Sequence, residues 1–173
     1  MTSHGPSYVV AEDLLKRYGL NTPPVDVDKL AMMMGAAVVR TRAEGGESGF
    51  VMRDGSKVVI GVNSGTSRRR QRFTVAHEIG HLLMHEGNLI VDSSIRANYR
   101  NDVSSMATDA QEMEANKFAA ALLMPMERVR EAVARLSVGA TSREDLINRL
   151  SREFDVSTEA TGYRLINLGI ASA

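Results

Sequence analysis

Hydrophobic positions along the chain follow a helical period in some stretches and a strand period in others. Val10, Leu14 and Tyr18 recur four residues apart, so residues 9–18 are predicted to be helical, with Gly19 as the stop. After Pro23 and Pro24, Asp26 can cap a second short helix reaching Met34, which Gly35 ends. The run of Met32, Met33 and Met34 reads as core filling. Residues 36–40, 49–53 and 57–62 are rich in Val, Ile and Phe and read as strands. Asp54-Gly55 joins the last two as a hairpin, because a tight turn needs positive φ. A long helix is predicted over 67–84, ending near Gly87, and an irregular connection over 88–108, a length that often carries function. Further helices are expected over 109–124 and 126–136, divided by Pro125. Thr141 and Glu144 form a capping-box pattern before a helix through Phe154, and Ser157 can cap a last helix ending before Gly169. The expected class is α+β, mostly helical, with a small three-stranded antiparallel sheet.

A chain of 173 residues suits a single domain over 1–173, with residues 1–7 as a flexible tail. The apolar fraction of 43% and charged fraction of 24% are those of a globular protein rather than a disordered one. Lys and Arg (21) balance Asp and Glu (21), so no net field draws the chain to nucleic acid or an anionic membrane. No basic leader precedes an apolar run, and no apolar segment approaches the ~20 residues that span a bilayer. A cytoplasmic protein without a membrane partner is expected. With no cysteine, any metal must rest on histidines and carboxylates.

The segment His77-Glu78-Ile79-Gly80-His81 supplies such groups. Positions four apart on a helix lie within about 40° of each other, so both imidazoles leave one face and can grip one ion. Zinc accepts these ligands and keeps a position open for water in catalytic sites; manganese suits the same donors. Glu78 lies beside that face, placed to accept a proton from water. His85 continues the ladder but drifts about 80° from His77, too far to converge easily on the same ion. Downstream, Glu112 and Asn116 share a helical face. The pair resembles the zincin arrangement, in which a glutamate on a second helix completes the metal site and a polar residue one turn on orients an imidazole. Glu112 is the expected third ligand and Asn116 its companion. Glu114, about 200° around the axis from Glu112, is the alternative ligand. An oxyanion donor is also needed, and Tyr99, Tyr163 and His85 are the candidates. Arg68, Arg69, Arg70 and Arg72 crowd a helix N-terminus, where the dipole disfavours cations. They read as a solvated face, with carboxylate pairing or grip on an acidic substrate as the alternative.

Two blocks taken together resemble the ImmA/IrrE family of bacterial metallopeptidases. The first runs Arg72-Phe73-Thr74-Val75-Ala76-His77-Glu78-Ile79-Gly80-His81 and on to His85. The second runs from Glu112 through Ala115-Asn116-Lys117-Phe118-Ala119 to Leu123-Met124-Pro125. The resemblance implies a zincin-like fold, one Zn2+ per chain, and endopeptidase cleavage of a specific regulatory protein. The implied partner is a helix-turn-helix transcriptional repressor or a toxin-antitoxin partner. Radiation-response members carry a further C-terminal sensory domain, so a chain of this length is expected to be of the shorter, mobile-element or regulatory type.

Two other readings compete. The helices within 141–169 form a helix-turn-helix-like pair, which suggests a DNA-binding regulator. Their last helix offers only Arg164 as a cation, which argues against direct nucleic-acid binding. An antitoxin-type protein keeping a silent metal site is the other, and Glu78 argues against it. A substrate strand is expected to add to a sheet edge supplied by 49–53 or 57–62.

Overall fold

Local capping chemistry sets most of the helix boundaries in the computed structural model, which describes residues 6–43, 47–93, 105–106 and 109–170. Helix α1 (Ser7–Tyr18) closes on Gly19, whose φ of 67° is left-handed. Ser7 is buried at its first turn, so the expected tail is helical at that residue, while residues 1–5 lie outside the described residues. Helix α2 (Val27–Met33) opens on Asp26, whose carboxylate accepts from the Lys29 N–H. Strands β1 (Ala36–Thr41), β2 (Glu47–Asp54) and β3 (Lys57–Asn63) follow, then helix α3 (Arg68–Met84), which opens on the Ser67 hydroxyl. The expected irregular connection contains strand β4 (Leu89–Ser93) and strand β5 (Ser105–Met106). Helices α4 (Asp109–Leu123), α5 (Met126–Leu136), α6 (Arg143–Phe154) and α7 (Thr158–Asn167) complete the order. At α6 the cap falls one residue later than expected. Ser142 accepts from the Asp145 N–H, and Asp145 accepts from the Thr141 N–H, one residue before the cap.

The class is α+β as expected, but the sheet is five-stranded and mixed, in the order β1-β3-β2-β4-β5. The hairpin turn lies at Gly55 and Ser56, one residue beyond the expected pair, since Asp54 and Lys57 form the last register pair and Gly55 takes φ 58°. The hairpin returns β3 into the space between β2 and β1, so β3 runs antiparallel to β2 and parallel to β1. Strand β4 then occupies the other side of β2. Both strands expected to offer an edge are therefore interior, and their ladder hydrogen bonds are already used.

Helix α3 lies between the sheet, through β2 and β3, and α4 on its other side. Covered on both sides, it buries an unbroken run from Thr74 to His81 rather than one stripe. The core continues through Leu15, Val51, Ile60, Ile79, Phe118 and Leu122. The arginine run pairs with a carboxylate, the alternative expected above, although Arg68 and Arg70 stay exposed. Arg68, Arg69 and Arg72 all approach the carboxylate of Asp155, at 2.8, 3.4 and 3.3 Å. Arg72, buried, also donates to the Val25 and Asp155 carbonyls. Asp155 holds the left-handed position (φ 51°) between α6 and α7, so the run fastens that turn to the start of α3.

Asp155→Asn keeps the left-handed tolerance but removes the charge that Arg72 shares. Stability should fall by roughly 1–3 kcal/mol, the cost of depriving a buried cation of its partner. Urea denaturation checks this, and an unchanged midpoint would refute the fastening role.

Candidate metal centre

Residues 74–81 sit in the middle of α3, where the helix has no exposed face, so every polar side chain there needs an internal partner. His77 and His81 meet at their Nε2 atoms, 2.9 Å apart. Glu112, from the first turn of α4, brings Oε2 to 3.2 Å of His77 Nε2 and Oε1 to 3.2 Å of His81 Nε2. Among the described residues these three form a group whose ligand atoms lie within 4.8 Å of one another.

The outer nitrogens settle which atoms face inwards. His77 Nδ1 lies 3.0 Å from Asn116 Oδ1, an acceptor, so Nδ1 carries the hydrogen and Nε2 presents a lone pair. His81 Nδ1 lies 2.8 Å from His85 Nδ1, and His85 Nε2 lies 3.3 Å from Glu114 Oε2. The Glu114 carboxylate accepts from His85 Nε2–H, which leaves His85 Nδ1 an acceptor. His81 must then donate through Nδ1 and turn its own Nε2 lone pair inwards. Burial pushes the His85 pKa down against the opposing pull of Glu114, which favours the neutral ring this relay needs. Two imidazole lone pairs and a carboxylate thus converge with no hydrogen between them. That donor set fits a divalent cation and repels itself without one.

Neighbouring elements hold this geometry. Arg53 of β2 donates to the carbonyls of His81, Leu82 and His85 at 3.3, 2.9 and 3.0 Å, and to that of Gly87. These carbonyls belong to the last turn of α3 and the residues that follow it, where the helix leaves acceptor capacity over. Gly49 lies under Glu78: a Cβ there would come within 2.9 Å of Glu78 Oε1 and 2.5 Å of Thr74 Cγ2. Glu78 itself is fully buried.

The sequence-predicted residues separate into two groups. His77, His81 and Glu112 come together, and Asn116 stands behind His77. His85 lies on the opposite edge of the His81 ring from Glu112 with both nitrogens engaged, which places it behind the centre. Glu114 belongs to that relay and not to the ligand group. Tyr163 is exposed on α7 and lines a groove shared with Asn116 and Phe73. Tyr99 lies outside the described residues. Sequence reasoning missed Arg53 and the pairing of His85 with Glu114. The repeated four-residue spacing of His77, His81 and His85 was the available signal for the relay.

The family model described as the IrrE N-terminal-like domain, a peptidase family, matches residues 31–166. The chain belongs to the IrrE N-terminal-like family. This IrrE-like chain is 32% identical over 154 residues to the radiation response metalloprotease IrrE of Deinococcus deserti, covering 88% of this chain and 51% of that protein. It is 35% identical over 108 residues to the protein of the same name from Deinococcus radiodurans, covering 62% of this chain and 30% of the relative. The chain thus spans about half the length of the first relative and less of the second. In fold it is similar to a Mycobacterium tuberculosis transcriptional regulator, with a TM-score of 0.60 at 19% identity, over 92% of this chain and 46% of that one.

His85→Ala and Glu114→Ala should each weaken zinc affinity by about 10–100-fold, the usual effect of removing a group that orients a ligand. Glu112→Ala should weaken it further. Competition with a chromophoric chelator measures this, and wild-type affinity in the first two variants would break the relay.

Proposed function

We propose that this IrrE-like protein is a zinc-dependent endopeptidase that hydrolyses a peptide bond in a specific regulatory protein, with His77, His81 and Glu112 as ligands and Glu78 as general base. One observation carries the reading: three electron-pair donors converge on one point, and a buried carboxylate stands one residue from the first of them. Zinc held there would supply Lewis acidity, lowering the pKa of water towards ~7 and polarising the scissile carbonyl. Manganese suits the same donors. Glu78 takes the proton of the attacking water and returns it to the leaving amine. Asn116 and the His85–Glu114 relay keep both imidazoles in the tautomer that faces the ion. Tyr163, exposed in the groove that Asn116 also lines, is the candidate donor to the developing oxyanion.

The substrate class we favour is a helix-turn-helix repressor. The radiation-response names of the curated relatives put a damage-linked regulator beside a mobile-element repressor or toxin-antitoxin partner as the candidate. Direct DNA reading by α6 and α7 has less support. Arg164 is buried and donates to the Met124 carbonyl at 3.0 Å, capping the end of α4 rather than facing outwards. No helix among the described residues is long and apolar enough to cross a membrane.

Incubation with the product of a neighbouring helix-turn-helix gene, with and without zinc, should give one or two discrete cuts only with metal. Glu78→Gln should keep fold and metal yet lose cleavage by ~10⁴-fold or more, since one group serves two proton transfers. Wild-type cutting by Glu78→Gln would sink the mechanism.

A further inference from the structure

A groove of about 770 Å³ opens between the N-terminal half of α3, the middle of α4 and the length of α7. It adjoins the candidate metal centre at two points. Asn116, which holds His77, lines it, and so does Phe73, whose ring lies 6.3 Å from that of His77. A polypeptide crossing the three ligands therefore has this groove as a continuation.

Its charge is one-sided although the chain as a whole is neutral. Arg69, Arg70 and Lys117 line it against a single lining carboxylate, Glu159. Asp155 at its border is already shared by Arg68, Arg69 and Arg72, so it leaves that end positive. Arg70 is held in place rather than waving in solvent. It donates to Ser48 Oγ at 2.8 Å and stacks over Phe73 at 5.7 Å. Lys117 is exposed and projects from the turn of α4 that carries Asn116. An arginine pre-positioned beside an aromatic floor suits a carboxylate flanked by apolar atoms.

We propose that this groove binds an acidic segment of the substrate polypeptide, with Arg70 and Lys117 receiving an Asp or Glu side chain close to the scissile bond. The proposal rests on the metallopeptidase reading, and it names the local chemistry the substrate must carry. It also gives the arginine run a second task beside its hold on Asp155.

Binding tests it without cleavage. The probes are a fluorescein-labelled octapeptide of alternating Glu and Ala and its Gln counterpart, titrated by anisotropy into full-length, zinc-loaded Glu78→Gln protein. The acidic peptide should bind about tenfold tighter or more, as expected when charge-assisted hydrogen bonds replace neutral ones. Adding Arg70→Gln and Lys117→Gln should abolish most of that preference, and Lys117→Glu alone should reduce it should the double variant misfold. The distant pair Arg128→Gln and Arg130→Gln should leave the preference intact. Equal affinity for the two peptides would overturn the proposal, as would a preference that survives loss of both cations. Displacement of the acidic peptide by a single-stranded oligonucleotide at lower concentration would also overturn it, in favour of nucleic acid. The readout is binding by a protein that cannot cut, so absence of wild-type cleavage would count against the endopeptidase reading and leave this result standing.

Discussion

The close approach of α4 to α3 at Gly80 is the contact on which the rest of the site depends. A Cβ at Gly80 would meet Phe118 Cδ1 at 3.0 Å and the Ala115 Cα at 3.3 Å, so a larger residue would push the helices apart. Ala115 and Phe118 are fully buried at that contact. Glu112 lies three residues before Ala115 and Asn116 one after, which brings the first to the inner nitrogens of His77 and His81 and the second to the outer nitrogen of His77. A wider helix separation would lengthen several of these distances at once. Small residues at this crossing thus serve the chemistry as much as the core.

Burial gives those polar groups their meaning. His77, His81 and His85 are all buried, and each has its outer or remaining nitrogen matched to an identifiable partner. In a region of low dielectric the unmatched arrangement is the inner one, where lone pairs and a carboxylate face each other. The same structure that satisfies every outer hydrogen bond leaves one point whose donors suit a cation. Arg53 completes the support by closing the carbonyl end of α3, so the helix that carries the imidazoles is tied to β2 at one end and to Asp155 through its arginines at the other.

Those ties also explain the C-terminal helix pair. Asp155 sits in the turn between α6 and α7, and Arg164 of α7 caps the end of α4. The pair is fastened to both helices of the candidate centre, and its last helix spends its cation internally. A recognition helix would present that charge outwards. The side of α7 that faces α3 and α4 instead forms one wall of the groove beside Asn116.

Spacing alone determined the helical face of His77 and His81, the place of Glu78 beside it, and the pairing of Glu112 with Asn116, because helix geometry converts sequence separation into direction over one or two turns. Caps at Asp26 and Ser157 were legible for the same reason: their hydrogen bonds span three residues. What lay beyond that range needed the tertiary structure. The insertion of β3 between β1 and β2 depends on strands competing for the same backbone partners. The sharing of Asp155 by three arginines joins positions more than eighty residues apart. The relay from Glu114 through His85 to His81 exists only because α4 crosses α3 at one distance and angle, and no local rule carries that information.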